Sequence, residues 1–201
     1  MWAIRVTFDF ERGMFRAGLS IEDLSHGVGT LETWETELIG KVRDLARGPW
    51  EERAGGYDER GEFPRANVDE LQALKVPQMA MSPENGGLGI SIEGQMRIME
   101  EVAYGDGSTA VALNMHALVA GFLESMPPFP RRNQVIEDMG KNGALICGPG
   151  SIPSGGLDNR QAGFRFEDDG DFVVGHGKAG FASMSEGAKY ALIGGAIDRG
   201  E

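Results

Sequence analysis

Cysteine is almost absent from this chain of 201 residues: Cys147 is the single one, so no internal disulfide can form. Basic residues are also scarce, since 19 lysines and arginines stand against 31 acids and the formal net charge is −12. A surface of that sign repels polyanions, which argues against nucleic acid as a partner. The cysteine usage gives no support to secretion, and we therefore expect a cytoplasmic protein.

Long hydrophobic runs are missing as well. The longest, residues 109–123, is interrupted by Asn114 and His116, and it is shorter than the roughly 20 apolar residues that a bilayer crossing needs. The sequence therefore predicts no membrane span. Gly-x-Ser-x-Gly and Gly-x-x-x-x-Gly-Lys motifs are also absent, and the three histidines lie far apart along the chain, so a hydrolase elbow, a phosphate loop and a metal site are not indicated.

Residues 31–140 have the periodicity of helices. Apolar residues recur at intervals of three and four from Leu31 to Leu45 and predict one amphipathic helix, which Gly48-Pro49 should end. Asn67 stands three residues before Glu70, a spacing that predicts a capping pair. Ser91 is predicted to cap the next helix, whose apolar face would comprise Ile92, Met96, Met99 and either Val102 or Ala103.

The helix expected from Ser108 is apolar nearly all round, which predicts a place at the centre of a bundle. Within it, His116 is interpreted as a buried side chain bonded to a neighbouring carbonyl group. Pro127-Pro128 should stop this helix, and a last helix should start near Pro130.

From residue 141 the pattern becomes that of strands. Residues 144–147 form a short apolar run, in which Cys147 is interpreted as a small buried hydrophobe. Phe164 and Phe166 alternate with polar residues, and a turn at Asp169-Gly170 before Phe172 predicts a hairpin. A further strand is expected over residues 190–196.

Two stretches of the β part could meet a ligand. Residues 148–156 (GPGSIPSGG) offer amides and hydroxyls, while Phe181 and Ser183 place an aromatic plane and a hydroxyl on the same side of a strand. An aromatic face beside a hydrogen-bonding group suits a flavin. Considered by themselves, such stretches are also common as ordinary structure.

Three landmarks then follow in order: YDERGEFP at residues 57–64, PENGGLG at 83–89 and GDGST at 105–109. Together they resemble the amino-terminal half of the acyl-CoA dehydrogenase family. The resemblance implies an α+β fold, with an amino-terminal α-helical bundle over residues 31–140 and an incomplete antiparallel β-sandwich or barrel over residues 141–201, within which the chain is expected to stop. Residues 1–30 have no clear counterpart and would be an arm or a disordered extension.

The same resemblance implies FAD as the cofactor and Ser151, Ser154, Phe181 and Ser183 as residues that contact it. A competing register places the segment that starts at Cys147 at the flavin instead. Family chemistry removes a proton from the carbon α to a thioester and passes a hydride from the β carbon to the flavin. The carboxylate base comes from a carboxy-terminal domain, so no catalytic residue is assigned here and the chain alone is expected to be inactive.

Two other functions stay open. A flavin-dependent monooxygenase of the same fold is suggested by Ile152, which stands where the family has an acid, and by the changed residues at Phe181 and Ser183. A non-catalytic remnant or interaction module is the third possibility. The expected partners are acyl-CoA or another small-molecule substrate, an electron-transfer or flavin-reductase protein, and further copies of the chain in a homo-oligomer.

Overall fold

A computed structural model describes residues 6–9, 14–17, 31–149, 164–169, 172–194 and 196–198. Near its start, strand β1 (Val6–Asp9) pairs antiparallel with β2 (Met14–Ala17). The residues described from 31 onward form six α-helices: α1 Thr33–Leu45, α2 Glu51–Arg60, α3 Arg65–Ala73, α4 Ile92–Gly105, α5 Gly107–Ser125 and α6 Arg132–Asn142.

The main hydrophobic core lies where α1 packs on α4 and α4 packs on α5. Val42, Trp50, Ile98, Val102 and Leu113 are completely buried there. Each side chain of this size stabilises the fold by roughly 1.5–3 kcal/mol through removal of its apolar surface from water. The helical pattern of the sequence thus produces one packed bundle.

The Gly48-Pro49 pair introduces a kink, but helical structure continues beyond it. A five-residue π-helical segment, Ala46–Trp50, joins α1 directly to α2, and the kink falls at Gly48 (φ −130°, ψ −105°). Proline has no N–H for the helical ladder, so the ladder is interrupted here. The bend carries Trp50 into the core, and α2 continues from there to Arg60.

The predicted capping role of Asn67 is wrong. Helix α3 starts two residues earlier, after Pro64, and Asn67 is fully buried. Its amide oxygen accepts a hydrogen bond from Arg53 Nε at 2.7 Å, while its nitrogen donates to Asp106 and Thr109. Partners distant in sequence decided the role of this side chain.

Helix α4 is capped by Ser91, as predicted, since the serine hydroxyl accepts from the Gly94 amide at 3.0 Å. The predicted burial of Val102 is confirmed, but Ile92 and Met96 are exposed, and Ile98 is buried as well. Glycines account for this orientation: a Cβ on Gly105 would lie only 2.5 Å from the Ala46 carbonyl oxygen. The face that carries Gly105 can therefore lie close to the backbone of Ala46, and it is the one that packs.

Helix α5 is also not buried all round. Leu113 and Ala120 are completely buried, but Val111 and Phe122 are exposed and Leu118 is 62% exposed. The prediction of a helix enclosed on every side is therefore wrong for one stripe. None of the residues that the structure describes covers this stripe of Val111, Leu118 and Phe122.

The β part consists of short strands. β3 (Ile146–Cys147) pairs parallel with β6 (Tyr190–Ala191). β4 (Phe164–Asp169) and β5 (Phe172–Gly177) form the predicted hairpin, with Asp169 opposite Phe172. β7 (Ala196–Asp198) pairs parallel with β4. The α+β class is confirmed, but the single strand predicted over residues 190–196 is wrong, because β6 and β7 join different sheets.

Candidate functional site

A cavity of about 400 Å³ opens where the helical bundle meets the β part. One wall is the first turn of α5, another is the entrance to α3, and the third is the turn at Ser183 and Met184. Its lining consists of Phe63, Pro64, Gly107, Ser108, Val111, Ala112, Ser183 and Met184. The lining is mainly apolar with two hydroxyl groups, a composition typical of small-molecule sites.

The carboxylate of Asp106 holds the first turn of α5 in place. It accepts hydrogen bonds from the amides of Ser108 and Thr109 at 3.1 and 3.3 Å and from the Thr109 hydroxyl at 2.5 Å. Asn67 Nδ2 donates to the same carboxylate at 3.1 Å. This N-cap satisfies amides that would otherwise have no partner within the helix, and it links the cavity wall to α3.

The opposite wall is a tight turn that follows Ala182. Met184 has a left-handed backbone (φ 74°), which costs a non-glycine residue roughly 1 kcal/mol. Two turn hydrogen bonds hold it, from the Ser185 amide to the Ala182 carbonyl and from the Gly187 amide to the Met184 carbonyl, both at 2.9 Å. A conformation of this kind is found preferentially at ligand sites.

The residues predicted to contact a cofactor differ in their position relative to the cavity. Ser183 lines the cavity, whereas Phe181 is 82% exposed beside it. Ser151 and Ser154 lie outside the described residues. Cys147, the start of the competing register, is buried in β3 as predicted, and burial raises the pKa of its thiol, so it is a packing residue and not a nucleophile.

His116 is buried and bonded to backbone groups, as predicted. Its Nε2 lies 3.1 Å from the carbonyl oxygen of Pro77, and the amide of Ile146 donates to its Nδ1 at 3.1 Å. Burial lowers the pKa of the ring below its ordinary value, because a cation in the core would lose its hydration. The folded protein therefore favours the neutral form of the ring, which connects α5 to β3.

A pH dependence of stability follows from His116. The folded pKa lies below the ordinary 6.5, so the ring's stabilising effect is complete above about pH 6.5 and is lost as the pH falls towards the folded pKa. Between about pH 7.5 and pH 5.5 we expect the wild type to lose up to about 1.4 kcal/mol more than His116→Asn. Urea unfolding at the two pH values measures this difference. Equal losses in the two proteins would contradict it.

Comparison with known proteins gives this geometry a context. Residues 33–126 match the model of the Acyl-CoA dehydrogenase, N-terminal domain family. The helical part of this chain is therefore similar to the amino-terminal domain of the acyl-CoA dehydrogenases. The resemblance drawn from the three landmarks is thereby confirmed.

Three relatives show how far the likeness extends. YdbM of Bacillus subtilis (strain 168), whose name assigns it provisionally to the acyl-CoA dehydrogenases, is 28% identical over 166 residues, which are 78% of this chain and 41% of YdbM. Butyryl-CoA dehydrogenase from Megasphaera elsdenii superimposes with a TM-score of 0.69 and 17% identity over 81% of this chain and 44% of its own. FMN-bound TdsC from Paenibacillus sp. A11-2, a dibenzothiophene monooxygenase, has the same TM-score and identity, with coverage of 81% and 40%.

The chain thus spans less than half the length of these relatives. The two solved structures establish the acyl-CoA dehydrogenase fold, which serves both a dehydrogenase and a monooxygenase. None of the described helices combines the length and apolar character that a membrane crossing requires. Across the same residues, no group of three or more histidine, cysteine, aspartate or glutamate side chains is arranged to hold a metal ion.

Several cavity residues were not predicted as site residues. Phe63 and Pro64 belong to the first acyl-CoA dehydrogenase landmark, and Gly107 and Ser108 belong to the third. These residues carry the family resemblance, but no role in a site was predicted for them. One sequence signal could have identified these residues as site residues. The first and third landmarks both have an unusual composition although they lie 40 or more residues apart. The fold brings both to one cavity.

A second, larger groove of about 560 Å³ runs between α4 and α5 of this acyl-CoA dehydrogenase-like domain. It is formed by Ile92, Met96 and Met99 of the predicted apolar face of α4, with Met96 65% exposed, and by Val111 and Asn114 of α5. Val111 lines both this groove and the cavity. The apolar residues of α4 that do not enter the core therefore line a groove.

Proposed function

We propose that the whole protein is an FAD-dependent acyl-CoA dehydrogenase and that this chain forms part of its flavin site. The observation that carries the proposal is the cavity in which Ser183 lies opposite the first turn of α5. Its volume of about 400 Å³ falls within the range of roughly 300–1,000 Å³ usual for small-molecule sites. Ser151, Ser154 and Phe181 are proposed, with Ser183, as the residues that contact the cofactor.

The chemistry of the cavity wall fits a flavin ring. Phe63, Val111 and Met184 offer apolar surface against which the face of a planar ring can pack. The hydroxyls of Ser108 and Ser183 can donate to the nitrogen and oxygen atoms along the ring edge. Bound there, the flavin would supply the hydride acceptor, while these residues orient the ring and exclude water from one side of it.

The base that removes the α proton is proposed to come from the part of the relatives' length that this chain does not span. Glu101, a buried acid of α4, does not suit that role. Burial alone would raise its pKa, but Arg43 and Arg47 donate to its carboxylate at 2.8 and 3.1 Å, and the net pKa is lowered. Glu101 joins α1 to α4 as a structural ion pair.

Flavin titration of the whole protein tests the proposal. We expect Ser183→Ala to weaken FAD binding about 5–10-fold, because one hydrogen bond is worth about 1 kcal/mol. Ser185→Ala is the matched control, since Ser185 is exposed, lies on the same turn and is not part of the cavity lining. The fall in flavin fluorescence on binding measures both affinities.

The proposal fails if the purified whole protein neither contains a flavin nor binds FAD. It also fails if Ser183→Ala and Ser185→Ala bind FAD equally well. Tighter binding of FMN than of FAD in the same titration would retain the flavin site but correct the identity of the cofactor.

The remaining assignments extend this proposal. We propose the division into a helical domain at residues 31–140 and a partial middle domain at 141–201, preceded by an arm at residues 1–30. We also propose a cytoplasmic homo-oligomer that acts on an acyl-CoA thioester and transfers its electrons to an electron-transfer protein. Mass photometry of the whole protein tests the oligomer, since a mass equal to that of one polypeptide would exclude it.

A flavin-dependent monooxygenase is the second candidate. It is supported by Ile152, Phe181 and Ser183, which differ from the family pattern at the proposed flavin contacts, and by the fold shared with TdsC. Such a protein would depend on a flavin-reductase partner. Under anaerobic conditions, bleaching of the bound flavin by acyl-CoA supports the dehydrogenase, while oxygen-dependent hydroxylation without that bleaching supports the monooxygenase.

A further inference from the structure

His116 occupies the side of β3 that faces away from its partner strand. The carbonyl groups of Leu145 and Cys147 accept hydrogen bonds from Tyr190 and Leu192, at 3.2 and 2.9 Å. Because polar groups alternate in direction along a strand, the amide and carbonyl of Ile146 point the other way. Both lie near Nδ1 of His116, at 3.1 and 3.3 Å.

The surroundings of the ring select one tautomer. The Ile146 amide carries a hydrogen and is buried, so Nδ1 must be its acceptor and cannot itself carry a proton. Nε2 then carries the proton and donates to the Pro77 carbonyl at 3.1 Å. Among the described residues, burial and these two backbone contacts are the influences on the ring's pKa. Each ring nitrogen thus connects α5 to a different segment.

The segment after β3 rests on the same face of α5. A Cβ on Gly148 would lie 2.7 Å from the Cγ2 atom of Val119, which is three residues after His116 and therefore a neighbour on the helix surface. Gly148 begins the glycine-rich stretch that contains Ser151 and Ser154, two of the proposed flavin contacts, and it is the second residue of the competing register that starts at Cys147. His116 and Val119 together form the surface of α5 against which the start of that stretch packs.

We infer that His116 is a positioning residue, which holds β3 and the start of the glycine-rich stretch at Gly148 against α5 through the hydrogen bond between its Nδ1 and the Ile146 amide. The consequence for flavin affinity rests on the proposed function. The consequence for β3 itself does not, since it follows from the hydrogen bond alone.

Two uncharged substitutions separate the two ring contacts. His116→Asn places a carbonyl oxygen near the position of Nδ1, where it can accept from Ile146, but it does not reach Pro77. His116→Gln places an amide nitrogen near the position of Nε2, where it can donate to Pro77, but it leaves the Ile146 amide without an acceptor. Because both variants lose one hydrogen bond, they are matched controls for general loss of stability.

Hydrogen exchange of the Ile146 amide and FAD titration, both on the whole protein, measure the effects of the two substitutions. In His116→Gln, we expect the Ile146 amide to exchange at least about tenfold faster than in His116→Asn and FAD to bind about tenfold more weakly, which corresponds to one lost hydrogen bond. His116→Asn should resemble the wild type in both measurements. Circular dichroism of each variant confirms that the helices are retained.

Three results would overturn the inference. One is equal exchange of the Ile146 amide in the two variants. Another is equal FAD affinity of the two variants when the wild type binds FAD. The third is a ¹⁵N spectrum of the wild-type ring that shows the proton on Nδ1, a measurement that decides the matter even if neither variant folds. If the wild type binds no flavin, the proposed function fails, while exchange and the tautomer still test the role of His116 at β3.

Discussion

Gly140→Ala is expected to destabilise the protein by about 3 kcal/mol, the upper part of the range for overpacked sites. Gly140 lies inside α6, where alanine would ordinarily be the better helix former. However, an added Cβ would overlap the backbone carbonyl of Asn85, and it would also lie 3.3 Å from the Cα of Gly86. Backbone atoms cannot turn aside as a flexible side chain can, so the PENGGLG loop would have to separate from α6.

The control is the same substitution at Gly121 in α5. A Cβ there meets no atom of the described residues within 4 Å. We expect Gly121→Ala to stabilise the protein by about 0.5–1 kcal/mol through the helix propensity of alanine. Urea unfolding of both variants measures the change in the free energy of unfolding, which should have opposite signs in the two. A gain in stability for Gly140→Ala would show that the loop and α6 do not make this close contact.

Asp106→Ala is expected to cost about 2–4 kcal/mol. The substitution removes the N-cap of α5, worth about 1 kcal/mol, and it leaves the buried amide of Asn67 short of one acceptor, worth about 1–3 kcal/mol more. Because Asp106 adjoins Gly107 and Ser108 on the cavity wall, the same variant should also bind FAD more weakly.

Asp69→Ala supplies the control for Asp106→Ala. Asp69 is exposed on α3, next to neither the cap nor the cavity lining, and we expect a change of less than about 0.5 kcal/mol. Thermal unfolding followed by circular dichroism compares the two. Similar losses for both variants would mean that the Asp106–Asn67 contact contributes little to the fold.

Local features were predictable wherever neighbours in sequence are also partners in space. The Ser91 cap depends on an amide three residues away, and the β4–β5 hairpin pairs Asp169 with Phe172, which are only three positions apart. The burial of His116 and Cys147 followed from the apolar residues on either side of them. In each case the physical information lies within a few residues of the feature.

Asn67 shows why similar reasoning failed elsewhere. Its spacing from Glu70 satisfies the rule for a capping pair, yet the side chain bonds to Arg53, Asp106 and Thr109, which are up to 42 positions away. Glu70 instead accepts from Trp50 at 2.5 Å and pairs with Arg53. A polar side chain takes whichever partners the tertiary fold brings to it, and the spacing along a helix cannot reveal them.

The choice of buried helix face has a similar cause. On α4, hydrophobicity favoured the face with Ile92 and Met96, but the face with Gly94 and Gly105 packs because it permits closer approach of backbones. Hydrophobic spacing reports which residues can be buried. Close packing, which depends on the shape of the neighbouring element, selects among them.

The amino-acid sequence by itself determined the resemblance to the acyl-CoA dehydrogenases, the α+β class and the hairpin, because landmark motifs and turn residues act over short distances. Only the tertiary structure decided that Phe63, Ser108 and Ser183 line one cavity and that His116 joins α5 to Ile146. These residues lie on segments far apart in the chain. Their meeting depends on how the helices and the β part pack together, a property of the whole fold that no local pattern encodes.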